Sequence, residues 1–403
     1  MSLPTTLPAS SRYDLVDALR GFAIMGILLL HSIEHFNYYV FPDNALQPEW
    51  MVELNGAIWT GMFFIFGSKA YGIFALLFGF TFHLQFSRRA KDGVDFGPIF
   101  LWRMLILFGF AWVNSILFPG EVLLIYALLG PILFFMRHLS NRMLLLVGCL
   151  FLAQPLELYQ LAQAYWNPNY ERIDMRVGEF WGLTSSYMSE GSFWSLAANS
   201  WTGFKSTFFW SLENGRIEQT AGLFTLGVFI GRQGWFETGQ RLRKRWLTVL
   251  GVSSTIFAAF LLFEFNVLSS VNDQYRWALQ TLSNVWKNLF QIGAMVSLFC
   301  SLHATGWFRA LVKPLRSYGR MSLSNYMMQS LVGGFIFYPY GLALAEHFNT
   351  VYSLLLGFGL FVGFVTFCNL WFLKFKQGPC EMLWHYLTWL PLKRRPIATK
   401  QAA

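Results

Sequence analysis

Apolar runs long enough to cross a bilayer recur from one end of this sequence to the other, beginning with about residues 18–38, and no feature limits the fold more. Hydrocarbon offers no partner to a free backbone N–H or C=O, so each such run has to be helical. Of 403 residues, 55% are hydrophobic, 19% aromatic and only 13% charged, a balance outside the range of soluble domains of this size. The expected fold class is all-α: a polytopic transmembrane helix bundle in one integral-membrane domain, residues 1–403.

The basic residues set the expected topology. Thirty Lys and Arg against twenty-one Asp and Glu give a formal charge of +9. They gather in alternate loops, as in Arg88, Arg89 and Lys91, or Arg241, Arg243, Lys244 and Arg245. Marking those loops as cytoplasmic gives about ten spans, near residues 18–38, 57–86, a hairpin through Phe118–Pro119–Gly120, 143–165, 217–231, 246–265, 284–303, 322–345 and 351–373, with both termini cytoplasmic. The first apolar run lacks a nearby small-residue cleavage site and reads as a retained span. Basic residues neither interleave with aromatics nor form a stripe, so no nucleic-acid partner is expected. Residues 166–216, rich in Trp, read as an amphipathic insertion at the outer interface, and 374–403 as a cytoplasmic amphipathic helix with a basic tail. Four scattered cysteines form no metal-binding spacing and read as packing residues.

Ionisable groups inside such runs are costly, which makes them candidates for function. The segment DALRGFAIMGILLLHSIEHF holds Asp17, Arg20, His31, Glu34 and His35. At about 100° per residue Arg20, Ile24, Ile27, His31, Glu34 and His35 lie on or near one stripe, with Arg20 about 16 Å from His31. His31 or His35 can serve as a general base, oriented by Glu34 or Glu53, or as an interfacial hydrogen-bonding group. Asp17 and Arg20, three residues apart, suit a local ion pair, and Arg20 also suits a phosphate. Lys69 sits too deep in its run to snorkel, so it faces a buried partner such as Asp17 or Glu121, or a bound anion. Gly61, Gly67, Gly72 and Gly79 read as close-packing positions. Two polar stripes, Asn284–Lys287–Gln291 and Ser322–Asn325–Gln329, either bond between helices or line a substrate path. No hydrolase elbow, phosphate loop, zinc-protease pattern or calcium loop is present, and no metal is expected.

Four segments in order, DALRGFAIMGILLLHS, KAYGIFALLFG, GRMSLSNYMMQS and QGPCEMLWHYLT, make the chain resemble the YeiB family of bacterial inner-membrane proteins. The RG-containing first span is distantly similar to a transmembrane acyltransferase superfamily that includes heparan-alpha-glucosaminide N-acetyltransferase and bacterial polysaccharide O-acetyltransferases. The resemblance implies a multi-pass bacterial inner-membrane protein with a through-membrane tunnel. It also implies that Arg20 sits in the RG motif and that Lys69, Arg320 and Asn325 occupy the other polar motif positions. The superfamily histidine lies further along than His31, which leaves His31 and His35 as alternatives. The implied activity moves an acyl group, most simply acetyl, from cytoplasmic acyl-CoA to a hydroxyl or amine of a small-molecule or glycan acceptor at the outer face. In that scheme His31, His35 and Glu34 are catalytic, Arg20, Lys69 and Arg320 hold the donor, and Asn325, Gln329 and Lys287 hold the acceptor. Acyl-CoA is then a substrate, with no tightly bound cofactor, membrane lipids are the surroundings, and a homodimer is compatible. The competing expectation is a permease for a small metabolite.

Overall fold

The computed structural model describes residues 14–34, 36, 40–91, 93, 95–167, 169–189, 192–237 and 240–393, and among them the chain is all helix without a strand. It opens with α1 (Asp14–Ile33), then α2 (Glu49–Ile65) and α3 (Lys69–Lys91), which meet at a turn, and α4 (Gly97–Leu117). Short helices α5 (Leu123–Leu129) and α6 (Pro131–Met136) lead to α7 (Asn141–Leu152) and α8 (Pro155–Trp166). Next come α9 (Val177–Ser189), α10 (Phe193–Glu213), α11 (Arg216–Arg232), α12 (Gln240–Asn266) and α13 (Asp273–His303). The chain closes with α14 (Gly306–Leu311), α15 (Lys313–Arg320), α16 (Ser322–Phe337), α17 (Thr350–Trp371) and α18 (Pro379–Lys393).

Six of these helices, with α2 and α3 taken together, are long and apolar enough to cross a membrane, or seven if the bent pair α7–α8 is one span. The sequence marked ten segments. Two of those, α11 with 17 residues and α16 with 16, fall just short of that length. The chain is a membrane protein built as a helical bundle.

Burial ranks the helices. The apolar window of α1 is 78% buried, whereas that of α12 is 11% buried, so α1 is the central post and α12 faces outward. Close approach around α1 depends on glycine: a Cβ on Gly21 would stand 2.0 Å from the Leu315 carbonyl, and one on Gly319 would stand 1.9 Å from the Asp17 carbonyl. The same device joins α3 to α11, where a Cβ on Gly79 would lie 1.9 Å from the Phe224 carbonyl. Gly72 faces Ile292 and Gly67 its own turn, but Gly61 has nothing within 4 Å and serves no close contact.

Two runs read as single spans are interrupted. The 57–86 run breaks at Phe66–Gly67–Ser68, where Ser68 adopts φ 63°, so Lys69 opens α3 instead of sitting mid-helix. The Phe64 carbonyl freed at the end of α2 accepts from Gln291 Nε2 at 2.7 Å, while Phe63 O, already bonded to the Gly67 N–H at 3.0 Å, also meets Lys69 Nζ at 3.4 Å. The 143–165 run bends by 49° at Gln154, whose φ is 61°, because Pro155 cannot continue the ladder and disfavours a helical residue before it. Trp286 Nε1 donates to the Leu152 carbonyl left there, at 2.8 Å.

Candidate functional site

The cavity forms along α1, whose ladder is unbroken from Asp14 to Ile33. Val16, Arg20, Ile24, Ile27, His31 and Glu34 return every three or four residues to one face, and that face lines a cavity of about 1270 Å³. A second stripe, Tyr71, Phe74, Phe78, Thr81, Gln85 and Arg88 on α3, lines the same cavity. The Arg20 guanidinium bonds to the Thr81 hydroxyl and to Asp17 at 3.3 Å, while Gly26 stands against Phe66 just before α3, so α3 runs antiparallel to α1 with Arg88 beyond Arg20. The Asp17–Arg20 ion pair expected from spacing is formed.

The Arg20 end is rich in guanidinium groups: Arg20, Arg88, Arg103 and Arg320 all line it. Arg320 stacks over Phe372 at 3.9 Å and donates to the Lys376 carbonyl at 3.4 Å. Arg103 lies over Trp384 at 4.2 Å and donates to Thr388 at 3.2 Å, while Trp384 donates back to the Arg103 carbonyl at 3.2 Å. These contacts dock α18 across the mouth. Glu381 of α18 accepts from the backbone N–H of Leu323 at 2.8 Å and Ser324 at 3.2 Å, capping the first turn of α16 from outside. Burial pushes its carboxyl above the usual carboxylate range, against the pull of those hydrogen bonds. The helix expected as a cytoplasmic amphipathic segment contributes Glu381 and Trp384 to the cavity wall.

The other end holds His31 and Glu34 of the candidate catalytic set. His31 is buried, its ring 4.6 Å from Phe118, 5.6 Å from Phe36 and 6.4 Å from Tyr326, which also lines the cavity. Behind this aromatic box, Glu121 bonds to Asn114 and accepts from Leu123 N–H at 2.5 Å, and Asn114 donates to Ser330 at 3.1 Å. His35 lies outside the described residues.

Lys69 belongs to this end as well. It is twelve residues before Thr81 on α3, about 18 Å along the axis, so it stands apart from Arg20 and Arg320, with which the resemblance grouped it. Its partner is neither Asp17 nor Glu121. Arg216 and Lys287 are its charged neighbours, with Glu264 as the acid, and Lys287 pairs with Glu264 at 2.5 Å. Asn325 and Gln329 do not line the cavity: Asn325 donates to the Tyr318 carbonyl at 2.8 Å and to Cys368 Sγ at 3.3 Å, in a wholly buried structural contact. From that stripe only Ser322 reaches the cavity, whereas Asn284, Lys287 and Gln291 all do.

Residues 230–391 match a family model described as a protein of unknown function, DUF418. The chain is 28% identical to the uncharacterized protein YeiB of Escherichia coli (strain K12), over 93% of this chain and 95% of that one. It is 25% identical to the uncharacterized protein YxaH of Bacillus subtilis (strain 168), over 98% and 99%. The chain is therefore similar to YeiB and YxaH over nearly its whole length. No solved structure matches it. The segment matched by the family model holds Lys287 and Arg320, while Arg20, His31, Glu34 and Lys69 precede it and are covered by the full-length relatives.

Sequence reasoning missed Arg88, Arg103, Arg216, Tyr326 and Glu381 as cavity residues. Arg103 carried the signal that singled out Lys69, a lone charge inside an apolar run, FLWRMLILF. Arg88 was absorbed into the topology count, and Arg216 hides behind the Asn214–Gly215 turn. Nothing in the spacing of Tyr326 or Glu381 announces a wall position.

Proposed function

We propose that this chain is a membrane acyltransferase, in which a phosphate-bearing donor such as acetyl-CoA occupies the Arg20 end from the cytoplasm. The observation that carries this reading is the single cavity that runs along α1 from four guanidinium groups to a buried histidine. Guanidinium recognises phosphate in bidentate fashion, and a donor whose phosphates and thioester lie far apart suits two ends about 16 Å apart on one helix. At the far end His31 takes the proton of an acceptor hydroxyl or amine, whose oxygen or nitrogen attacks the thioester carbon. The carbon–sulfur bond breaks, the acyl group stays on the acceptor, and CoA leaves as the thiol with the proton. Tyr326, close to His31, is the group that meets the developing oxyanion.

The test is acetyl-CoA binding to the purified protein in detergent, beside Arg20→Ala and Arg320→Ala. Micromolar binding weakened about tenfold or more in each variant supports the reading. A folded protein that binds no acyl-CoA overturns it.

A permease is the second reading, favoured by the interruptions at Ser68 and Gln154, since broken helices at membrane depth recur in transporters. Saturable uptake into CoA-free liposomes would support it.

A further inference from the structure

We infer that the His31 end contains a built anion-binding subsite, and that the acceptor carries a phosphate or carboxylate group seated there; the second clause rests on the acyltransferase reading, the first does not. Three cations converge on this part of the cavity. Lys69 is 7% exposed, lines the cavity and, among the described residues, has no carboxylate within ion-pair distance; a 3.4 Å contact to a carbonyl is its one hydrogen bond. Arg216 donates to Ser68 Oγ at 2.9 Å and lies over Trp210 at 4.0 Å and Tyr71 at 5.0 Å. Lys287 faces the same space, and the one acid among the charged neighbours of Lys69, Glu264, is already bonded through both oxygens to Lys287 at 2.7 and 2.5 Å. Glu34 also lines the cavity, at the end of α1.

Position sharpens the imbalance. Lys69 and Arg216 are the first residues of α3 and α11, where helix dipoles present their positive ends and a cation is the less favourable occupant. A buried, uncompensated positive charge is destabilising, so a structural role alone leaves this arrangement unaccounted for. A phosphate or carboxylate between Lys69 and Arg216 supplies the missing charge and accepts from both side chains. The Trp210 and Tyr71 rings lie against the Arg216 guanidinium, at 4.0 and 5.0 Å, and favour its cation.

The anion comes either from a lipid headgroup or from a soluble phosphorylated molecule, and the experiment separates them. The full chain is placed in phosphatidylcholine nanodiscs, with or without phosphatidylglycerol, and titrated with inorganic phosphate or glycerol 3-phosphate at near-physiological ionic strength, reading thermal stability. A saturable rise in Tm in the wild type, shifted to about tenfold or higher concentration in Lys69→Met and restored in Lys69→Arg, supports the subsite. A rise with phosphatidylglycerol alone assigns a lipid, and one with the soluble probes alone assigns a free anion. No rise with any probe, or an equal rise in Lys69→Met, overturns the proposal. Acetyl-CoA binding measured on the same preparations keeps the two readings apart: donor binding without anion binding sinks only the subsite, and the reverse sinks only the donor assignment.

Discussion

Replacing Gly319 by Ala tests whether the α1–α15 contact sets the geometry of the Arg20 end. The new Cβ would stand 1.9 Å from the Asp17 carbonyl oxygen and 2.5 Å from the Gly21 nitrogen, where ordinary contact begins at 3.4 Å. Both neighbours are backbone, so no side chain can swing aside, and the helices would have to part by about 1.5 Å. Overpacking of this kind costs about 1–3 kcal/mol, and a rigid backbone contact belongs at the upper end. Gly61→Ala is the matched control, because its Cβ meets nothing within 4 Å; there the helix gains up to about 1 kcal/mol from the lost chain entropy of glycine. The two substitutions therefore shift Tm in opposite directions when both proteins are melted in the same detergent. Asp17 and Arg20 are on one side of the contact and Arg320 is next to Gly319 on the other, so the parting also separates the two guanidinium groups proposed to hold the donor and, on that proposal, lowers acetyl-CoA affinity. Equal Tm shifts for Gly319→Ala and Gly61→Ala, or a stabilised Gly319→Ala, would refute the reasoning.

Phe118→Ala removes a ring that is 1% exposed and packed on His31, and should lower stability by about 3–5 kcal/mol; an unchanged melting curve would show that the aromatic box is not closed. Asn325→Leu removes one of the two hydrogen bonds to the Tyr318 carbonyl, which the Met321 N–H also reaches at 3.2 Å, costing about 0.5–1.5 kcal/mol, yet the folded fraction should bind acetyl-CoA with wild-type affinity; a selective loss of binding would return Asn325 to the cavity. Glu381 gives a pH signature. Its folded carboxyl is raised by burial, so the stability it contributes is present at low pH and is lost as pH rises through the folded value. The Tm of wild type relative to Glu381→Gln should accordingly improve on acidification from about pH 8 to about pH 5, and the opposite slope would mean that the hydrogen bonds from Leu323 and Ser324 outweigh desolvation.

The parts of the site legible in the sequence were those fixed by one helix. Arg20, Ile24, Ile27, His31 and Glu34 could be placed on a common face because helix period alone decides it, and α1 runs without a break. Lys69 was recognised as costly but given the wrong company, since its neighbours come from α11 and α13, more than a hundred residues away, and the left-handed turn at Ser68 carries no proline or Asn–Gly signal. The bend at Gln154 did carry one, in Pro155, which the length of the apolar run masked. Asn325 shows the converse: a polar residue on a correct stripe, satisfied by a carbonyl on the neighbouring helix instead of facing the cavity.

The charge profile of the cavity bears on which reaction it suits. Basic groups line both ends, but the stretch between them is walled by Ile24, Ile27, Phe74, Phe78, Met104 and Leu107. The polar atoms nearest that stretch are engaged with each other: Tyr126 donates to the Tyr71 carbonyl at 2.5 Å, and the Tyr71 hydroxyl bonds to Gln219. An anion passing from end to end would shed its hydration against these rings and aliphatic chains with no compensating donor, at a cost of several kcal/mol. An acyl group carries no charge and loses little in the same surroundings. Two anionic molecules, each held at its own end by its own cations, with a neutral group exchanged across the apolar stretch, meet that profile without moving a charge through it. Transport of a free anion would need the middle of the bundle to open to water. Accessibility labelling settles which occurs: cysteines placed at Ile27 and Phe74 should stay shielded from a charged maleimide in the acyltransferase throughout turnover with acetyl-CoA and an acceptor, and should become labelled in step with flux in a permease.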